Sequence, residues 1–210
     1  MRGIGFQAGD STGHYRASFS TGLLPAALAA GAAIFSCRFY NTVKTRALVT
    51  RFKMTATVVT PFTGAQQIGL QAFIARSWTA ADSGGSSIVL TGTNNQLNSL
   101  GDAPSIAQIQ VSTTTALTAG TRTLDANPFL QLATAQTQAA ASAGLVSGSS
   151  EFVVSSDQEF PINFRSGSAT ADAEGIVVQS PILFGAAGTV QVVVDMGWME
   201  YSYISPTGAD

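Results

Sequence analysis

Acid-base and nucleophilic chemistry need ionisable side chains within reach of one another, and this chain supplies few. It has one histidine, His14, one cysteine, Cys37, ten Lys and Arg, and twelve Asp and Glu in 210 residues. A serine or cysteine nucleophile needs an imidazole to take its proton. His14 follows Gly9-Asp10-Ser11-Thr12-Gly13, a glycine-rich stretch that offers a general base no rigid position. The familiar zinc sets take three or four ligands from Cys, His and carboxylate, and a single His and a single Cys fall short of them. Asp157-Gln158-Glu159 sets two carboxylates on one face of an extended chain, without the glycine-containing ligand loop of a calcium site. Neither a metal nor a cofactor is expected. Glu151, Glu159, Glu174 and Glu200 leave open a remote carboxylate pair of the kind that hydrolyses glycosides. Each is expected on the wet face of a strand.

Binding chemistry has more to draw on. Gly3-Ile4-Gly5-Phe6-Gln7-Ala8 matches a dinucleotide pattern in letters only, because no strand precedes it and no helix follows to receive a phosphate. Arg38, Lys44, Arg46, Arg51 and Lys53 form a basic run interleaved with Phe39, Tyr40 and Phe52, the arrangement that holds a single-stranded nucleic acid by phosphate contacts and stacking. Phe52, however, alternates with Arg51 and Lys53 and so points into the core, and the whole chain is acidic at net charge -2. Nucleic acid is therefore not an expected partner. Trp78 stands where a strand runs into Thr79-Ala80-Ala81-Asp82-Ser83-Gly84-Gly85, either as an exposed interface anchor or as a lid on the end of the core.

The elements that must position these residues are strands. In Val190, Val192, Val194, Met196 and Trp198, apolar side chains recur at every second position, with Gln191 and Asp195 between them, and Phe52, Met54, Ala56 and Val58 alternate with Lys53, Thr55 and Thr57. Arg46 has the opposite parity to Arg51, so a bulge or turn near Val49-Thr50 is required if both are solvated. Further strands are expected over residues 34–40, 68–76, 87–91, 106–112, 129–134, 151–155, 160–165, 175–179 and 182–184, separated by Gly-, Asn- and Asp-rich turns. Residues 132–145 read as an extended loop or a helical turn. Many short strands with regular turn signals make a sandwich or barrel.

Only 10% of the residues are charged and 45% are apolar, so Ser, Thr, Gln, Asn and Gly must form most of the surface. Such a surface is suited to being covered by neighbours. One cysteine rules out an intrachain disulfide, and Cys37 is expected as a small buried hydrophobe. The longest apolar run, residues 23–35, falls short of the ~20 residues a spanning helix needs and begins too far from a basic segment to read as a signal peptide. It is expected as an extended lead-in to the first strand, and no membrane partner is expected. Residues 1–80 hold eight basic side chains and one acid, a net of +7, and the remainder a net of -9. Interleaved strands would neutralise these halves against each other; segregated, they would make a polar subunit whose basic side docks on an acidic surface.

Four stretches, YRASFSTGLLPAALAAGAAIFSCRF from Tyr15, FIARSWTAADSGG from Phe73, STTTALTAGTRTLDANP from Ser112 and VVVDMGWMEY from Val192, resemble small virion proteins of tailed bacteriophages. The chain resembles in particular the jelly-roll decoration, or cement, proteins that bind the major capsid protein on the outside of phage heads. The resemblance implies an all-β, antiparallel jelly-roll sandwich over residues 23–204 that forms homo-oligomers. It also implies an extended N-terminal arm (residues 1–22) and a short tail (residues 205–210), both reaching over neighbours on the capsid exterior. It carries no catalytic residues, so the expected function is non-enzymatic. Arg38, Lys44, Arg46, Arg51, Lys53 and Trp78 are the expected capsid contacts. The competing expectation is a carbohydrate- or receptor-binding module of a tail fibre, with Trp78, Tyr201 and Tyr203 as an aromatic platform.

Overall fold

The computed structural model describes residues 11–40, 45–90, 95–97, 103–137, 146–154, 161–166 and 173–202. The strands are β1 (Ser11–Ser20), β2 (Leu24–Pro25), β3 (Ala32–Phe39), β4 (Thr45–Thr60), β5 (Gln66–Arg76), β6 (Ser86–Ile88), β7 (Ala107–Val111), β8 (Thr123–Leu124), β9 (Leu130–Gln136), β10 (Ser147–Val153), β11 (Ile162–Arg165), β12 (Glu174–Ser180) and β13 (Thr189–Ser202). They form two antiparallel sheets, one ordered β1-β13-β4-β10 and the other β6-β7-β3-β12-β5-β8; β2 and β11 join the first sheet, and β9 joins the second on β5. The pairings β1·β13, β3·β12, β4·β10 and β5·β9 describe one long antiparallel ribbon. The further pairings β13·β4 and β12·β5 wind that ribbon into a jelly-roll sandwich.

Period two decides which side chains enter the space between the sheets. Phe52, Met54, Ala56 and Val58 of β4 and Val190, Val192, Val194, Met196 and Trp198 of β13 are all buried. Phe35 of β3 meets Phe19 at 5.6 Å and Phe52 at 6.2 Å between ring centroids, and Phe129 links Phe52 to Phe152 where β9 runs beside β10. Phe19, Phe35 and Phe52 are buried, and each stabilises the fold by about 1.5–3 kcal/mol over its exposed state. The parity change between Arg46 and Arg51 is met by a β-bulge: Gly197 pairs with Arg51 and Trp198 with Val49, which leaves Thr50 as the extra residue.

Four segments differ from the sequence expectations. Ser11–Ser20, expected in an arm, is β1 and pairs with β13 along its length, because Tyr15, Ala17 and Phe19 alternate inward beneath a polar composition. Residues 130–136, assigned partly to a loop, are β9, held on β5 from Gln66 to Ala72. Residues 182–184 are not a strand: Pro181 and Gly185 bound them, and the backbone of Phe184 bonds instead to Ala27 and Leu28. Residues 23–35 are not one extended lead-in. A turn with Ala27 at φ 67° and Gly31 at φ 76° separates β2 from β3.

A second, smaller core lies on the outer face of the β3-β12-β5 sheet. Ala33, Ala75 and Val177 of these strands are covered by Trp78, Leu117 and Ala173. Two loops, one after β5 and one after β7, clasp each other to make this cover, with Ser83 and Thr118 exchanging both backbone hydrogen bonds. Gly120 is required at their closest approach, where a Cβ would collide with the carbonyl oxygen of Ala80.

Candidate functional site

The expected contact residues fall into two groups. Arg46, Arg51 and Lys53 lie on the outer face of β4, partly exposed, as their spacing requires. Arg38 and Trp78 lie on the opposite side of the molecule and are buried, at 6% and 1% exposure, so neither ring nor guanidinium is open to a partner. Lys44 and Tyr203 lie outside the described residues, as do Gly3-Ile4-Gly5-Phe6-Gln7-Ala8 and Asp157-Gln158-Glu159. With Trp78 inside, the expected aromatic platform loses its principal ring.

On the β4 face the two halves of the sequence meet and neutralise. Arg51 pairs with Glu151 of β10 at 2.6 Å, and Lys53 stands in register between Glu151 and Asp195 of β13. The rest of the face is Thr55, Thr57, Ser147 and Ser149, edged by Val59 and Val153 at 41% and 42% exposure. At the Thr50 bulge, where Gly197 has no side chain, a hollow of about 250 Å³ opens between Arg16, Arg51, His14 and Leu97.

The acids expected on wet faces divide. Glu151 is exposed, whereas Glu174 and Glu200 are buried. The Glu200 carboxylate accepts hydrogen bonds from Ser105 Oγ at 2.6 Å, from Trp198 Nε1 at 2.9 Å and from the Ile106 backbone N–H, tying β13 to the segment that leads into β7. Burial raises its pKa above the ordinary carboxylate value, and these hydrogen bonds oppose the rise. Glu174 joins Arg76 at 2.7 Å and accepts from the Arg165 backbone N–H at 2.9 Å. Hydrogen bonds to Asp125 and Glu174 raise the Arg76 pKa. These two buried carboxylates therefore serve as cross-links between strands.

Neither a protein-family model nor a curated protein matches the chain. Among the described residues, no group of three or more His, Cys, Asp and Glu is placed to hold a metal ion, and no helix is long and apolar enough to cross a membrane.

Arg38 and Trp78, 40 residues apart, line one cavity of about 400 Å³. It sits over the outer faces of β3 and β7, walled by the loop that carries Trp78 and Asp82 and by residues 104–107. Arg38 is held there by Gln108 Oε1 through Nε at 3.1 Å, by the Thr79 carbonyl at 3.2 Å and by stacking over Tyr40 at 4.5 Å. Burial lowers its pKa. Asp82 accepts from the Gly120 N–H at 2.7 Å and forms an ion pair with Arg122, whose guanidinium lies 5.2 Å from the Trp78 ring centroid. Burial brings Arg122 down to about 10, still a cation at neutral pH. Trp78 Nε1 and Asp82 Oδ2 are buried and have no hydrogen-bond partner among the described residues. Sequence reasoning singled out Trp78 and Arg38 but missed Asp82 and Arg122, because their pairing joins two loops 40 residues apart.

Proposed function

We propose that the chain is a non-enzymatic structural protein of a virion, a decoration protein that binds the major capsid protein on the exterior of the head and associates with copies of itself. The observation that carries this reading is the outer face of the β1-β13-β4-β10 sheet. It is broad and rich in Ser and Thr, Arg51 is paired with Glu151, and Lys53 stands in register between Glu151 and Asp195. Covering such a face strips water from few unpaired ions, and that desolvation is the main cost of burying charge at an interface. The jelly-roll sandwich supports the reading as well, since two rigid sheets present the face without reordering.

The pairing of Arg51 with Glu151, and the acids in register with Lys53, turn attention from a basic docking strand to the neutral surface around it. The test is to mix the purified protein with shells assembled from the major capsid protein of the same virus and to measure co-sedimentation. Binding is expected. Val59→Asp and Val153→Asp place unpaired charge on the exposed rim of this face and are expected to abolish attachment without unfolding the protein. Failure of the unmodified chain to bind at any salt concentration refutes the reading.

A further inference from the structure

Gly197, on the face proposed for attachment, is a glycine that the fold itself does not need. It lies inside β13 between β1 and β4, and glycine within a strand weakens it and often marks a place where a ligand or another backbone comes close. A Cβ added there meets its nearest atom, Arg51 Cβ, at an ordinary 3.5 Å, and the backbone is not in the left-handed region. The extra residue of the adjoining bulge is Thr50 on β4, so the bulge does not call for glycine either. The missing side chain leaves the hollow of about 250 Å³ open on the outer face.

Two arginines border that hollow. Arg16 of β1 and Arg51 of β4 pair in register with Gly197 from opposite sides, two strand spacings or about 10 Å apart. Arg16 is exposed, and its guanidinium has no hydrogen-bond or ion-pair partner among the described residues. Arg51 meets Glu151 through Nε, and its two Nη groups have no partner among the described residues. Glu151 belongs to β10, on the side of β4 away from the hollow.

A protein covering this face would bury Arg16, and a buried cation without a counter-ion is costly. An ammonium would be repelled by both arginines, and an apolar group would leave Arg16 uncompensated. A carboxylate accepts from both guanidinia, whose planar forks match its geometry. Leu97, 68% exposed, and Met199 add apolar wall for the methylenes behind that carboxylate. At about 250 Å³ the hollow falls below the roughly 300–1,000 Å³ of small-ligand pockets, a size suited to one side chain.

We propose that the hollow is a socket for one acidic side chain, Asp or Glu, of a partner protein, its carboxylate held between Arg16 and the Nη groups of Arg51. The identity of the partner rests on the attachment reading, which makes it the major capsid protein; the socket rests on Gly197 and the two arginines.

The test is shell co-sedimentation of single variants. Gly197→Val puts a side chain into the hollow and suits the strand better than glycine. It is expected to raise the melting temperature by about 1–4 °C while weakening attachment about tenfold or more. Arg16→Gln is expected to weaken attachment about tenfold, and Arg16→Lys, which keeps the charge, by about threefold or less. In parallel, the nitrogen-15-labelled chain is titrated with acetyl-Leu-Glu-Leu-amide and acetyl-Leu-Gln-Leu-amide. Only the glutamate peptide is expected to shift the backbone amides of Arg16, Leu97 and Gly197. Attachment that survives both Gly197→Val and Arg16→Gln overturns the socket and leaves the attachment reading in place, even where self-association is lost, which assigns the hollow to a second copy. If the unmodified chain does not bind shells, the attachment reading falls and the peptides decide: a glutamate-selective shift keeps the socket, and its absence overturns it.

Discussion

Replacing Arg122 by Met isolates what holds the loops over the second sheet. The Arg122 and Asp82 side chains are 5% and 0% exposed, and among the described residues Asp82 has one other partner, the Gly120 N–H at 2.7 Å. Methionine keeps much of the apolar stem that packs near Trp78 but leaves the carboxylate buried without its cation. Stranding one member of a buried pair costs about 3–5 kcal/mol. At roughly 2–4 °C per kcal/mol for a chain of this size, the melting temperature should fall by about 10 °C. Adding Asp82→Asn removes the stranded charge and keeps an oxygen for Gly120, so the double variant should recover about 2 kcal/mol of the loss, a coupling typical of residues in direct contact. Urea unfolding followed by tryptophan fluorescence measures all four corners of the cycle, with m held constant as the check on two-state behaviour. A loss below about 1 kcal/mol for Arg122→Met, or a double variant as unstable as the sum of the singles, refutes the ion pair as the clasp.

Other perturbations probe separate parts of the molecule. Because the Glu200 pKa is raised in the folded state, the native protein binds more protons than the unfolded one just above the ordinary carboxylate range. Its contribution therefore favours folding at low pH and is lost as pH rises through the raised value. Glu200→Gln should flatten that part of the stability profile above the ordinary carboxylate range in urea titrations at a series of pH values. Phe19→Ala should cost about 3–5 kcal/mol in the same assay, since the ring is buried against Phe35; a loose arm would show no change. Cys37 is fully buried, and burial first, with the Glu200 charge second, pushes its thiol well above the usual value. A maleimide at neutral pH should leave it unmodified in the native protein and label it once urea unfolds the chain.

Alternation made the long strands legible. Phe52 to Val58 and Val190 to Trp198 declared their buried faces in one dimension, because successive side chains of a strand must point to opposite sides. Even the bulge at Thr50 followed from the parity of Arg46 and Arg51, a local constraint met by a local device. β1 escaped notice because its inward residues Tyr15, Ala17 and Phe19 are set in a polar composition that resembles a tail.

The candidate sites were less accessible to such reasoning. Arg51 and Lys53 were read correctly as facing outward, but their acidic neighbours, Glu151 and Asp195, come from strands about 100 and about 140 residues further along the chain. The +7 and -9 halves describe an order along the chain that strand pairing undoes on the β4 face. Trp78 could be placed at a strand end but not inside or outside, since that depends on loops folding over it from both sides.

Local sequence determined what depends on neighbours along the chain: the strand period, the turns, the parity break and the scarcity of ionisable groups. Tertiary structure alone decided what depends on distance in space. It decided which strands pair, which charges cancel, and that Arg38, Trp78 and Asp82 should border one cavity. The physical reason is that side-chain period is fixed by backbone geometry within a few residues, whereas burial and charge pairing are fixed by whatever the winding of the ribbon brings alongside.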